Sequence, residues 1–130
     1  GHIEPEDDNL LATAIRETKE EVGVALSRAA LVSALSDVAP RSLDPPPFLV
    51  RPFLFSLPTR PPIRLSAEAA SSSWIEWSVL ADPANRREAA IAIRGLHRMV
   101  PAFVIGEQVI WGMTERVLVP LVRATVTDDW

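Results

Sequence analysis

The sequence has no cysteine. That excludes disulfides and thiolate metal sites, and it fits a reducing compartment. The expected location is the cytoplasm, or an organelle if a targeting segment lies outside this chain. No apolar run approaches the ~20 residues that span a bilayer. The richest run, FLVRPFLFSL (48–57), is broken by Arg51 and Pro52. A basic balance is missing too. The formal charge is −4, which argues against non-specific nucleic-acid binding, since that needs a basic surface. Lysine occurs once against twelve arginines, a ratio read as codon bias. No internal repeat, low-complexity tract or flexible linker divides the 130 residues. One α/β domain over 1–130 is the simplest reading, long enough to bury a core.

What the chain does have is acid, unevenly placed. Residues 1–21 hold seven carboxylates against Arg16 and Lys19, while the remainder is nearly balanced. The stretch ATAIRETKEEVGV (12–24) crowds Glu17, Glu20 and Glu21 together. A helix is expected from Asn9 to Val22, with Asp8 as N-cap. Leu11, Ala14, Ile15, Thr18 and Val22 then share one arc. The three glutamates take the neighbouring arc, and Gly23 supplies a left-handed stop.

Downstream, strands are expected at ALVSALSDV (30–38) and FLVRPFLFSL (48–57), with Pro52 marking an edge or a bulge. The proline-rich stretch between them (39–47) reads as a loop. IRLSAEAASSSWIEW (63–77) reads as two short strands around a polar loop. Residues 78–99 look helical from Pro83 onward. AFVIGEQVIW (102–111) reads as a strand pair or a turn, with Gly106-Glu107 dividing two β-branched stretches. TERVLVPLVRATV (114–126) reads as a closing helix, kinked or broken at Pro120.

Carboxylates at i, i+3 and i+4 repel by a few tenths of a kcal/mol per pair in an isolated helix. Two readings account for the triplet. One is a wet helix face with Arg16 and Lys19 as partners. The other is a divalent cation held by oxygen ligands, with Glu17 and Glu21 one turn apart and Glu20 beside them.

The residues RETKEEVGV resemble the core of the Nudix box, R-E-U-x-E-E-x-G-U, at Arg16, Glu17, Glu20, Glu21, Gly23 and Val24. Thr18 stands where that family prefers an aliphatic residue. The arm before the helix is one residue longer than the general pattern, so the acid facing Arg16 is Asp7 or Asp8. In that arm EPEDDNLLATAIRETKEEVG is similar to the coenzyme A pyrophosphatase branch, as are APRSLDPPPFLVRPFLF and VIWGMTERVL farther on. The resemblance implies a Nudix-type α/β/α sandwich with a mixed sheet. The chain starts at Gly1, inside the box, and is expected to be a fragment lacking its N-terminal strands. The fragment alone is expected to be poorly stable or inactive.

The same resemblance implies roles. Glu17 and Glu21 would be the principal Mg²⁺ or Mn²⁺ ligands. Glu20 would hold further metal or position the attacking water, and Arg16 would orient the glutamates. Gly23 would let the helix end tightly against the next strand. Glu68 is the candidate general base from outside the box, with a solvated loop glutamate as the plain alternative. Arg41, Arg51, Arg60 and Arg64 are either surface residues or phosphate receivers, because arginine forks suit phosphate geometry. Trp74, Trp77 and Trp111 either pack in the core or stack on a base. His97 is unassigned.

The leading expectation is a metal-dependent hydrolase of a nucleoside diphosphate linked to another moiety. Coenzyme A is the first choice, giving 3′,5′-ADP and 4′-phosphopantetheine. ADP-ribose, dinucleotides and oxidised nucleotides are the alternatives within that class. A non-catalytic Nudix-like module that binds a nucleotide or a protein is the alternative outside it.

Overall fold

The computed structural model describes residues 5–40 and 48–125, the first three of these in backbone only. The chain groups into two compact units. The α/β class holds, and every strand pairing among the described residues is antiparallel.

The first unit opens with helix α1, Pro5–Val22. It starts four residues earlier than expected. Proline is at home in a first helical position because its missing N–H is an orphan there anyway. Asp8 is therefore inside the helix rather than its cap, and its carboxylate pairs with Arg28. Leu11 is fully buried, while Ala14, Ile15, Thr18 and Val22 are half-buried along the expected arc. Gly23 ends the helix at φ 73°, with its N–H bonded to the Lys19 carbonyl at 3.0 Å.

A short 3₁₀ turn at Arg28–Ala30 leads into β1, Leu31–Ala34, which pairs with β2, Phe53–Phe55. The register slips between Leu31 and Ser33. Both strands are shorter than expected. Pro52 has no N–H for a ladder, so it adds only its carbonyl, which accepts from Leu35 N at 2.9 Å. Residues 48–50 are exposed and lie outside β2. The expected loop falls largely outside the described residues, including Arg41.

Neither expected strand at 63–77 is present. The backbone donors of Arg64 and Ser66, two residues apart as in a strand, are used by the end of α1. They bond the carbonyls of Val22 (2.8 Å) and Glu21 (2.9 Å).

The second unit contains α2 (Trp77–Leu80), β3 (Arg86–Ile93), β4 (Leu96–Ile105), β5 (Gln108–Ile110) and α3 (Gly112–Thr125). The helix expected from Pro83 is instead a 3₁₀ turn, Pro83–Asn85, followed by a β-hairpin. The turn residues Arg94 and Gly95 have φ of 51° and 78°, the paired positive values that a two-residue hairpin loop needs. The division at Gly106-Glu107 is as expected, with Ile105 paired to Gln108. The closing helix runs through Pro120, which is exposed.

The buried cluster is Leu80, Phe103 and Val122, with Ile75, Ile105, Ile110, Leu118 and Val119 packed against it. Glu115 lies in the first turn of α3 with its side chain 1% exposed, and Arg86 Nη1 donates to its Oε2 at 2.8 Å. The Arg86 guanidinium also sits 4.9 Å from the centroid of the Phe103 ring. The sequence reading singled out neither partner.

Candidate active and metal-binding site

The site lies in the first unit, where the end of α1 meets residues 64–69. Arg16, Glu17 and Glu20 are all exposed on α1. Arg16 Nη1 is 3.1 and 3.3 Å from the two oxygens of Glu20, and Nη2 is 4.0 Å from Glu17. One guanidinium thus offsets the repulsion between two members of the triplet. Exposed pairs of this kind contribute only a few tenths of a kcal/mol, so the effect is orientation more than stability. Thr18 Oγ1 donates to the Ala14 carbonyl at 2.7 Å. With its hydroxyl satisfied inside the helix, threonine fits the half-buried arc at a position suited to an aliphatic residue.

Glu21, one turn past Glu17, lines a cavity of about 230 Å³ together with Ser66, Glu68 and Ala69. Two local features build this cavity. The Gly23 stop allows residue 64 to approach, since a Cβ there would come 2.9 Å from Arg64 Cβ. A turn at 67–68, closed by Ala69 N on the Ser66 carbonyl at 3.2 Å, then returns Glu68 to the end of α1. Two carboxylates 47 positions apart in sequence share one concavity.

The donors suit a hard divalent cation, being carboxylate and hydroxyl oxygens without sulfur or imidazole. The Ser66 hydroxyl is shielded from solvent and has no hydrogen-bond partner among the described residues. An orphaned buried hydroxyl costs about 1–3 kcal/mol, which a bound cation or an ordered water would offset. Among the described residues no three Asp, Glu or His side chains converge on a single point.

The family model described as NUDIX domain matches residues 1–95. The chain belongs to the Nudix family. No curated protein and no solved structure matches it. As a Nudix protein it is a hydrolase of phosphorus-containing anhydrides, acting on small nucleoside diphosphate derivatives. Nudix hydrolases generally need divalent ions such as Mg²⁺ or Mn²⁺. Among the described residues no helix is long and apolar enough to cross a membrane.

The remaining candidates separate clearly. Arg51 is bidentate on Asp37 at 2.8 and 3.0 Å, and Arg60 is also engaged. Arg64 instead lines a second cavity of about 550 Å³ with Lys19, Gly23, Pro62 and Ile63. Trp74, Trp77 and Trp111 belong to the second unit and are 50%, 42% and 41% exposed, so none is a core residue. Trp77 Nε1 donates to Thr125 Oγ1 at 2.9 Å. His97 is exposed on β4, opposite Ala92, rather than on a helix. Sequence reasoning missed Ser66 and the cavity role of Lys19. A serine in a polar loop carries no signal until the fold buries it.

Proposed function

We propose that this Nudix hydrolase cleaves the diphosphate of coenzyme A or an acyl-coenzyme A, giving 3′,5′-ADP and (acyl-)4′-phosphopantetheine. The observation that carries the site is the cavity shared by Glu21 and Glu68. The coenzyme A choice is supported by the arm EPEDDNLLATAIRE and by the WGMT segment, where α3 starts at Gly112.

In this reading Glu17 and Glu21 would be the principal ligands of Mg²⁺ or Mn²⁺, Glu20 would hold further metal or position the attacking water, and Arg16 would keep Glu20 in position. A bound ion neutralises diphosphate charge and lowers the pKa of water, making hydroxide available near neutral pH. Glu68 takes the proton from the attacking water. The water oxygen bonds to one phosphorus as that phosphorus loses the bridging oxygen, which departs on the other phosphate. The Glu68 proton then passes to solvent. The rest of the site works by positioning and a fixed field.

The test is mass spectrometry of products from coenzyme A, ADP-ribose, dinucleotides and oxidised nucleotides, each with Mg²⁺. Release of 3′,5′-ADP from coenzyme A is expected. Turnover of another substrate alone would reassign the specificity. No turnover of any substrate, with Mn²⁺ binding unaltered by Glu21→Gln, would leave a nucleotide- or protein-binding module as the function.

A further inference from the structure

We infer that the cavity between Lys19 and Arg64 is an anion subsite, taking a phosphomonoester of the substrate that is not part of the scissile diphosphate. The link to substrate rests on the hydrolase reading above.

The first argument is charge accounting. Arg16, Arg28 and Arg51 of this unit are paired with Glu20, Asp8 and Asp37, and Arg60 is engaged as well. Lys19 and Arg64 have no such partner among the described residues, yet both line the same cavity. Two like charges facing one space repel, and an anion between them reverses the sign of that term.

The second argument is rigidity. Arg64 N–H is fixed on the Val22 carbonyl at 2.8 Å, and Arg64 Cβ packs where Gly23 has no side chain. Pro61 and Pro62 stiffen the approach to that wall. The third argument concerns the helix end. Carbonyls at a helix C-terminus ordinarily repel anions. Here those of Lys19, Glu21 and Val22 are capped by the N–H groups of Gly23, Ser66 and Arg64, which weakens that repulsion.

The charge also selects the ligand. A phosphomonoester carries close to two negative charges at neutral pH, matching two monovalent cations, whereas each phosphate inside a diphosphate diester carries one. Arginine adds a planar fork for two phosphate oxygens, and lysine adds a point charge. The segment 64–66 borders both cavities, with Arg64 on the cationic one and Ser66 on the acidic one.

The experiment is calorimetric titration of the protein, without metal and in EDTA, with adenosine 3′,5′-bisphosphate and adenosine 3′,5′-cyclic monophosphate, whose single phosphate is a diester. The expected result is at least about tenfold tighter binding of the bisphosphate, fading as salt rises because both side chains are exposed. Lys19→Gln with Arg64→Gln should abolish that preference, while Lys19→Arg with Arg64→Lys should retain it. Both pairs keep the Arg64 backbone bond. Equal binding of the two nucleotides, no binding of either, or a preference surviving the double glutamine variant would overturn the subsite. Glu21→Gln should lose Mn²⁺ binding and keep the preference. Intact Mn²⁺ binding in that variant would count against the metal role of Glu21 and leave the subsite standing.

Discussion

At Gly23 two constraints meet on one atom that is absent. The backbone is left-handed at φ 73°, and a Cβ would come within 2.9 Å of Arg64 Cβ. Gly95 has a similar φ of 78°, but nothing lies within 4 Å of where its Cβ would be. The two positions therefore separate conformational strain from steric clash. Gly95→Ala should cost about 1 kcal/mol, the strain of a non-glycine residue in that region. Gly23→Ala should cost clearly more, because the 64–66 segment must move, and with it Ser66 and Glu68. Urea denaturation of both variants measures the difference, and equal losses would mean that the close approach carries no energy. At Glu68 the expected effect is catalytic. Glu68→Gln should lower kcat by about 10²–10⁴ while leaving Mn²⁺ affinity nearly unchanged, measured by steady-state kinetics and titration. A normal kcat would return Glu68 to an ordinary loop glutamate. The carboxylates of α1 and the Gly23 stop were legible in the sequence because helix period and spacing are local. The meeting of Glu21 with Glu68 was not, since it depends on backbone bonds 42 and 45 positions apart, Val22 to Arg64 and Glu21 to Ser66.

Among the elements, the β3–β4 hairpin shows where local preference misleads. REAAIAI (87–93) is rich in good helix formers, and alanine has the highest helix propensity of all. The period-2 alternation of Ala90 and Ala92 with Ile91 and Ile93 is the signal that prevails in the fold, with both isoleucines half-buried and both alanines exposed. α1 and α3 were readable because each carries a 3.6-residue apolar arc over three turns or more. The two residues that make the hairpin are Arg94 and Gly95, and Arg94 is the only non-glycine with positive φ among the described residues. Asn-Gly is the preferred pair for this turn, because asparagine tolerates the left-handed region. Arg94→Asn should therefore stabilise the protein by several tenths of a kcal/mol, up to about 1. Arg94 is exposed, so little packing is lost. A higher midpoint in chemical denaturation is the expected readout, and an unchanged or lower one would show that the turn is not under strain.

On the scale of the whole molecule, the second unit places a carboxylate where apolar side chains would ordinarily pack. Glu115 is fully buried beside a cluster built on Leu80, Phe103 and Val122. Its partner Arg86 is on β3 and 25% exposed at the side chain, so the ion pair ties the start of α3 to the start of the hairpin. Arg86 also covers the Phe103 ring, which couples the pair to the most buried aromatic. Taking two charges out of water is costly, and their mutual attraction roughly repays it only while both are present. Removing one partner should then be worse than removing both. Arg86→Met removes the guanidinium that pairs with the buried Glu115 carboxylate and should cost about 3 kcal/mol or more, and Glu115→Leu should cost a similar amount by removing the anion opposite Arg86. The double variant, with Met and Leu filling the same space, should recover most of that loss. The coupling follows from four urea melts compared as a cycle. Additive losses would mean that the two side chains act independently, and that α3 is held to the sheet by the apolar cluster alone.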